Sequence, residues 1–388
     1  MDNVTHTLFA ATLARTPLGR AGRGTTAALI IASNIPDADI VTTAGSAIDY
    51  LRWHRGPTHG PLGIIGLALV TAIIVTIGYR FVEHGPRGFR GARGSNGAPG
   101  SGRASDSDVA SFPMLVVVST IGVLLHVLMD LPTSYGTRLL SPFDWHWFAV
   151  DWMPIIDVWL LIVLVAGLFF GSRSPAARRW NAVIVLLFMA ANYGLRGAAH
   201  WQAIVVAPRL LGPTLPQPCD PAAMRWRIID VWPRAPITIP ALASGKRCLV
   251  EIAAMPTFVS PFTWRIIAQM SNAFEMYDVN LLDARVSIHG ASASGEHPFW
   301  RRVLRFPNVW TPAVERAAAT QVARVYLGFS RFPAVRTFTD PGGVTTVRWE
   351  DMRFVVAPVP RGDRRSSLFT VTVRVDADGR ILSERLGQ

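Results

Sequence analysis

The sequence predicts a multi-span α-helical membrane domain with N-terminal short helices, followed by a β-rich (α+β) extramembrane C-terminal domain. Three observations predict it. Half of the 388 residues are hydrophobic and the mean hydropathy is positive, which is unusual for a soluble enzyme of this length. Long apolar runs without charge are confined to the part before about residue 208. Beyond it, short stretches alternate apolar and polar residues, the period of strands. The expected division is residues 1–60 as interfacial or re-entrant helices carrying polar motifs, 61–208 as the transmembrane domain, and 209–388 as the β-rich domain.

Residues 2–14 predict a short helix with Leu8, Phe9, Ala11, Leu13 and Ala14 apolar and His6 near its start. Thr25–Ile35 predicts a second apolar helix, too short to cross a bilayer and ending before Pro36, as pre-proline sterics favour. About four spans follow: Pro61–Tyr79, Phe112–Met129, Ile155–Gly171 and Trp180–Leu195. The last is the weakest and can run past Arg196 and His200 to Ala207. At about 1.5 Å per residue, each approaches the roughly 30 Å of a hydrocarbon core. Residues 82–111 are rich in Gly, Arg and Ser, a disordered loop by composition. Pro213–Pro218 is a linker, and strands are expected at Arg247–Ala253, Phe262–Ala268, Phe274–Leu281, Arg324–Phe329, Val344–Val356 and Leu368–Val375. The last turns through Asp376-Ala377-Asp378-Gly379 into Arg380-Ile381-Leu382, a hairpin signal.

The net charge of +12 is carried almost wholly by arginine, since Lys246 is the sole lysine, and it is spread through every segment. No recognition motif accompanies it, so no nucleic-acid partner is expected. Cys219 and Cys248 form no CxxC, which leaves out a thiolate zinc site or a redox motif; they can pair if their region faces an oxidising compartment. The acidic, polar start followed by Arg15, Arg20 and Arg23 has the wrong order for a cleaved signal peptide. Arg80, Arg87, Arg90, Arg93 and Arg103 mark the first loop, and Arg173, Arg178 and Arg179 the third, as cytoplasmic. The second loop, residues 132–154, has Arg138 against Asp144 and Asp151 and is placed outside. His59, Asp130, Asp144 and Asp157 then share the outer side, with the C-terminal domain assigned there too. Arg15, Arg20, Arg23, Arg52 and Arg55 count against this orientation. The shared level of His59 and Asp130 does not depend on it.

Chemistry concentrates around Trp53-His54-Arg55-Gly56-Pro57-Thr58-His59-Gly60-Pro61. A bend at Gly56-Pro57 can aim both imidazoles into one space, and Pro61 suits the first turn of the helix behind them. His126 and Asp130, four apart, share one helix face at the end of an apolar span that Leu131-Pro132 terminates. Ionisable groups there cost about 2.5–3.5 kcal/mol on insertion scales, so they serve a site or a partner. The plainer alternative is an interfacial Asp130 cap and a His126 hydrogen bond to a neighbouring helix. Asp37 and Asp39 either cap a turn or donate a carboxylate to a metal, Asp37 being the stronger ligand candidate. His6 is the weakest member by spacing. His84, His146, His200, His289 and His297 have no partner pattern.

The candidate ligands are therefore His6, Asp37, His54, His59, His126 and Asp130. Imidazole and carboxylate without thiolate suit a divalent metal, zinc first, with manganese or iron as alternatives. Six candidates leave room for one or two ions. Asp39 or Asp144 could orient a water or support a ligand, and Arg55 and Arg138, with Arg52, could hold a phosphate; for each arginine, anchoring at the membrane surface is the alternative. No nucleophile elbow or P-loop is present.

Four motifs in order now carry a resemblance: Met1-Asp2-Asn3-Val4-Thr5-His6-Thr7-Leu8, Asn34-Ile35-Pro36-Asp37-Ala38-Asp39, His54-Arg55-Gly56-Pro57-Thr58-His59 and Leu125-His126-Val127-Leu128-Met129-Asp130-Leu131-Pro132-Thr133. They resemble the successive motifs of the membrane-bound metal-dependent hydrolase family, the YdjM-like inner-membrane hydrolases, over roughly residues 1–165. Leu140-Ser141-Pro142-Phe143-Asp144 and Ile155-Ile156-Asp157 fit the same pattern. The resemblance implies an integral protein of a bacterial inner (plasma) membrane and metal-dependent hydrolysis. That family is similar in motif order to zinc-dependent phospholipase C and P1-type nucleases, whose helical cores hold metals through scattered His and Asp. By that analogy His6, Asp37, His54 or His59, His126 and Asp130 are ligands and phosphodiester cleavage is the chemistry. Gly60 stands where many members carry serine, and Ile40 where some carry histidine; either change touches the surroundings of a ligand, not a ligand itself.

The expected function is hydrolysis of a phosphoester or lipid-linked ester at the membrane surface by a metal-activated water. Membrane lipids and a lipid or phosphoester substrate are the expected partners, and the C-terminal domain either gates the site or recognises a protein. The alternatives are a non-enzymatic membrane scaffold with a structural metal, and a proton or ion relay through His126 and Asp130.

Overall fold

The computed structural model describes residues 1–84, 109–170, 174–211, 215–220, 227–233, 247–282, 300–308, 310–355 and 369–387. Most of the loop expected at 82–111, part of the 213–218 linker, and Arg87, Arg90, Arg93, Arg103, Arg173, His289 and His297 lie outside the described residues. The chain forms two compact units that interleave along the sequence, where the sequence division had run in three consecutive blocks. The first takes Met1–Ala38, Pro57–Asp130 and Trp159–Ala190; the second takes Asp39–Gly56, Leu131–Val158 and Ala191–Gln388.

The first unit is helical. It contains α1 (Asn3–Leu13), α2 (Thr25–Ala32), α4 (Pro61–His84), α5 (Phe112–Asp130), most of α6 (Val158–Phe170) and the first part of α7 (Pro175–Leu211). Asp2 caps α1 by accepting the Thr5 backbone N–H at 3.0 Å, which fixes the first turn that carries His6. Its core is made of small and branched residues, among them Ala10, Ala28, Leu29, Ala72, Leu115 and Val118. Small residues let backbones approach: a Cβ on Gly122 of α5 would stand 2.6 Å from the Ala32 Cβ of α2. The outward faces of α4 and α5 expose Ile65, Leu69, Ile73, Ile77, Val117 and Leu124. An apolar belt of this kind is a surface for lipid.

Among the described residues, three helices are long and apolar enough to cross a membrane: Pro61–Phe81, Phe112–Asp130 and Pro175–Val205. The span expected at 155–171 is corrected: α6 has 13 residues, about 20 Å at 1.5 Å per residue, and the chain before Val158 is irregular. The fourth expected span is the longer of the two readings, since α7 continues unbroken through Arg196 and His200. Arg196 is fully buried and pairs with Asp157 through Nε at 2.5 Å, which satisfies its charge without ending the helix.

Among the described residues, the second unit holds α3 (Ala47–Trp53), the end of α7, ten strands and two further helices. One antiparallel sheet has the order β3-β4-β5-β6 (Leu249–Pro256, Thr263–Met270, Ala273–Asn280, Trp300–Pro307). The other has the order β10-β9-β8-β7 (Ile381–Leu386, Thr370–Val375, Thr345–Asp351, Pro333–Thr339), and β1 (Trp147–Ala149) pairs with β2 (Asp230–Trp232). The first sheet is buried on both faces, which is why β5 is nearly continuous in its burial: Trp264, Ile266 and Tyr277 meet Ala199 and Ala203 of α7, while Ile267, Phe274 and Met276 meet Phe332 and Met352. Helices α8 (Pro312–Ala318) and α9 (Gln321–Phe329) cover the second sheet, packing Val314, Tyr326 and Phe329 against Val347, Trp349 and Val373.

The strand expected at Arg324–Phe329 is corrected: the segment is helix α9. Its buried residues Val322, Ala323, Tyr326 and Phe329 follow helical spacing, and the Thr320 side chain accepts from Ala323 N–H at the N-cap. Strands β6 and β7 and helix α8 were not anticipated. The hairpin at Asp376–Gly379 is present as the β9–β10 turn.

Candidate metal centre

Two ligand candidates arrive on α5. His126 and Asp130 occupy its last turns, one turn apart on the same face, and both are fully buried. His59 sits in the turn before Pro61 opens α4, and Asp37 in the 3-10 segment Ile35–Ala44 that continues from α2. All four belong to the first unit.

One ligand atom from each of Asp37, His59, His126 and Asp130 lies within 4.8 Å of the others. The spacing is informative. His59 Nε2 stands 3.2 Å from His126 Nε2, 3.7 Å from Asp37 Oδ1 and 3.4 Å from Asp130 Oδ2. His126 Nε2 stands 3.6 Å from Asp37 Oδ1 and 3.5 Å from Asp130 Oδ2. An ion bound tetrahedrally at about 2.0–2.2 Å separates its ligand atoms by about 3.3–3.6 Å. Carboxylate–imidazole hydrogen bonds would instead close to about 2.7–3.0 Å. Two carboxylates and two imidazoles at these separations fit a divalent cation between them.

Both imidazoles are held from behind. His126 Nδ1 donates to the Ser33 carbonyl, at the end of α2, at 2.8 Å. His59 Nδ1 shares a hydrogen bond with Thr58 Oγ1 at 2.9 Å. Committing Nδ1 of His126 as donor turns its Nε2 lone pair toward the common point, and the Thr58 contact fixes the His59 ring so that its Nε2 faces the same point. The side chains of His59, His126 and Asp130 are inaccessible, whereas Asp37 remains 12% exposed and forms the open edge.

His6 is adjacent, not among the four. Its ring stacks on His126 with centroids 3.9 Å apart, and its Nε2 lies 3.4 Å from the other Asp130 oxygen, Oδ1. Asp130 therefore faces the four-residue cluster with Oδ2, while its Oδ1 accepts from the buried Met1 α-ammonium and lies beside His6.

His54 belongs to the second unit and is not one of the converging ligands. Its Nδ1 donates to Asp39 Oδ1 at 3.0 Å, and its ring stacks on Tyr50 at 4.4 Å. Asp39 Oδ2 accepts the Arg55 backbone N–H at 2.7 Å. Arg55 has φ of 50°, a left-handed conformation that a non-glycine residue holds only when its surroundings over-determine it. They do: the Arg55 carbonyl accepts from Arg138 N–H at 3.0 Å, and its guanidinium donates to Gly136 O and lies 4.9 Å over the Tyr135 ring.

Arg138 is buried against Trp147, 4.4 Å from guanidinium to ring centroid, and donates to the Arg52 carbonyl. Burial lowers its pKa to about 10, with the Tyr135 hydroxyl pulling the other way. Asp144 is in an exposed loop paired with His146 at 2.5 Å, and hydrogen bonds from the His146 backbone and ring hold it below the usual carboxylate range. Arg55, Arg138 and Asp144 are thus engaged within the second unit, and His146, which had no pattern in the sequence, is the partner of Asp144. Ser33 and Thr58 are the residues that sequence reasoning missed. Thr58 had a signal, being next to His59; Ser33 acts through its carbonyl and had none.

A family model described as YdjM inner membrane protein matches residues 1–203. Among curated proteins, the chain is 25% identical over 162 residues to a Bacillus subtilis (strain 168) protein described as uncharacterized protein YfhP. The match covers 41% of this chain and 41% of the relative, so the chain spans less than half of the length of that curated relative. No solved structure matches the chain.

Proposed function

The chain belongs to the YdjM inner membrane protein family, and on that footing we propose that it is a metal-dependent hydrolase that cleaves a phosphoester or lipid-linked ester at the membrane surface. The observation that carries the reading is the convergence of four donor atoms from Asp37, His59, His126 and Asp130, whose separations to and between the two imidazoles are 3.2–3.7 Å. Zinc suits two imidazoles and two carboxylates best, with manganese or iron as substitutes. A divalent cation held there supplies Lewis acidity toward a phosphoryl or acyl oxygen and lowers the pKa of water.

The chain's own residues divide the task. His59 and His126 hold their lone pairs on the ion through Thr58 and Ser33, and the apolar packing of α5 shields the site from bulk water. Asp37, the exposed ligand, is the side from which a substrate enters. Within the second unit His54 and Asp39 form a carboxylate–imidazole pair, which Arg55 positions by donating its backbone N–H to Asp39. The Cys219–Cys248 disulfide supports an outer, oxidising side for the C-terminal domain.

One observation favours a second reading, a structural metal in a membrane scaffold. Four protein ligands complete a tetrahedron, as structural sites do, whereas catalytic sites keep one position open. Elemental analysis of the detergent-purified protein, followed by assays on phosphodiester and phospholipid substrates, separates the two. Turnover lost together with the metal in His59→Ala supports the hydrolase. Stoichiometric metal without turnover of any substrate, and unfolding on chelation, would favour the scaffold.

A further inference from the structure

At the other end of the first unit lies a cleft of about 990 Å3 whose lining includes Arg15, Arg20, Arg23 and Arg178, with Tyr79 and Ser111. Tyr79 is eighteen residues along α4 from Pro61, about 27 Å at 1.5 Å per residue, and Ser111 directly precedes α5, whose far end carries Asp130. The cleft therefore stands about one hydrocarbon thickness from the metal centre, level with the opposite headgroups.

Four guanidinium groups share this concavity, and no Asp or Glu is among the described residues that line it. Two of the four are fixed by neutral partners: Arg15 donates to the Gly167 and Leu168 carbonyls at 3.1 and 2.8 Å, and Arg20 to the Pro175 carbonyl at 3.4 Å. Carbonyl partners orient a guanidinium and leave its charge in place. Arg23 lies 5.7 Å from the Tyr79 ring, and Arg178 is exposed on the first turns of α7. Guanidinium forks match the paired oxygens of a phosphate, and several acting together raise affinity for a doubly bonded anion over a halide.

We propose that this cleft is a binding site for a phosphate-bearing anion. The volume exceeds one phosphate, leaving room for the glycerol of an anionic phospholipid or for a soluble diphosphate. The site is independent of the hydrolase reading, because none of its residues belongs to the metal cluster.

The test uses the full purified chain, in nanodiscs of phosphatidylglycerol or of phosphatidylcholine, and separately in neutral detergent titrated with inorganic pyrophosphate. Wild type is compared with the Arg20→Ala/Arg23→Ala/Arg178→Ala triple variant, which leaves Arg15 to hold the α6 carbonyls. Helicity and thermal unfolding verify that the variant is folded; if it is not, the single exposed change Arg178→Glu replaces it. Native mass spectrometry showing phosphatidylglycerol retained about tenfold over phosphatidylcholine, and the preference lost in the variant, supports the site with a lipid occupant. Saturable pyrophosphate binding without lipid preference, weakened about tenfold or more in the variant, supports it with a soluble occupant. No preference and no binding in wild type, or the same behaviour in wild type and variant, overturns it.

Discussion

His59 and His126 face each other through their Nε2 atoms at 3.2 Å, while each Nδ1 is tied back to Thr58 or to the Ser33 carbonyl. A divalent cation fits between these two nitrogens, with Asp37 and Asp130 completing its surroundings. His59→Ala or Asp130→Ala should therefore remove bound zinc, manganese or iron from the purified protein, read by elemental analysis. His54→Ala should retain wild-type metal, because His54 bonds Asp39. Loss of metal in His54→Ala would return it to the ligand set.

Thr58→Val keeps the shape of the side chain and deletes the oxygen that fixes the His59 ring. Removing such an outer partner typically weakens metal binding by about 10–100-fold. Competition with a calibrated chelator would measure it, and an unchanged affinity would mean that Thr58 does not orient the ligand.

Gly122→Val places new atoms where Ala32 already stands, so α2 and α5 must separate. Overpacking of this kind costs about 1–3 kcal/mol. It should also draw the Ser33 carbonyl off His126, so thermal stability and metal affinity are expected to fall together. Stability lost with metal affinity intact would show that the Ser33 contact tolerates the shift.

Asp351 offers a pH test in the second unit. Burial works to raise its pKa, but Arg353, bonded to it at 2.7 Å, holds it below the usual carboxylate range. A carboxylate depressed in the folded state stabilises fully above its unfolded pKa of about 3.9 and loses that contribution as pH falls through the folded value. The wild type should then lose stability on acidification below about pH 4, followed by thermal unfolding. Asp351→Asn, which leaves the buried Arg353 without its anion, should cost about 3–5 kcal/mol near neutral pH and flatten the acid response. Equal acid sensitivity in both proteins would assign it elsewhere.

The metal cluster was legible because its parts obey local rules. His126 and Asp130 lie one helical turn apart, and His59 directly precedes a helix-opening proline. Asp37 follows a helix end that Pro36 helps define. His54 was grouped with them because spacing alone does not reveal the left-handed Arg55 that follows it, or the Asp39 carboxylate that engages both. Helix α9 was misread because Arg324–Phe329 alternates over too few residues to separate the two periods, and its N-cap at Thr320 lies upstream of the stretch taken as a strand. Arg15, Arg20 and Arg23, counted against the orientation from their sequence position, line one cleft with Arg178, which the same rule assigned to the cytoplasm. Interleaving of the two units was not legible, since it depends on pairings between residues hundreds of positions apart.

The interleaving sets a schedule. During synthesis the last of the four clustered ligands, Asp130, is made while the residues that pack against the early segment 39–56 do not yet exist. Leu51 shares a core with Phe329, and these are separated by 278 positions of sequence. At about 5–20 residues per second, roughly 10–40 s pass between completion of the ligand set and the arrival of α9. Throughout that interval the chain between Asp37 and His59 waits without its partners, so metal capture can precede closure of the second unit.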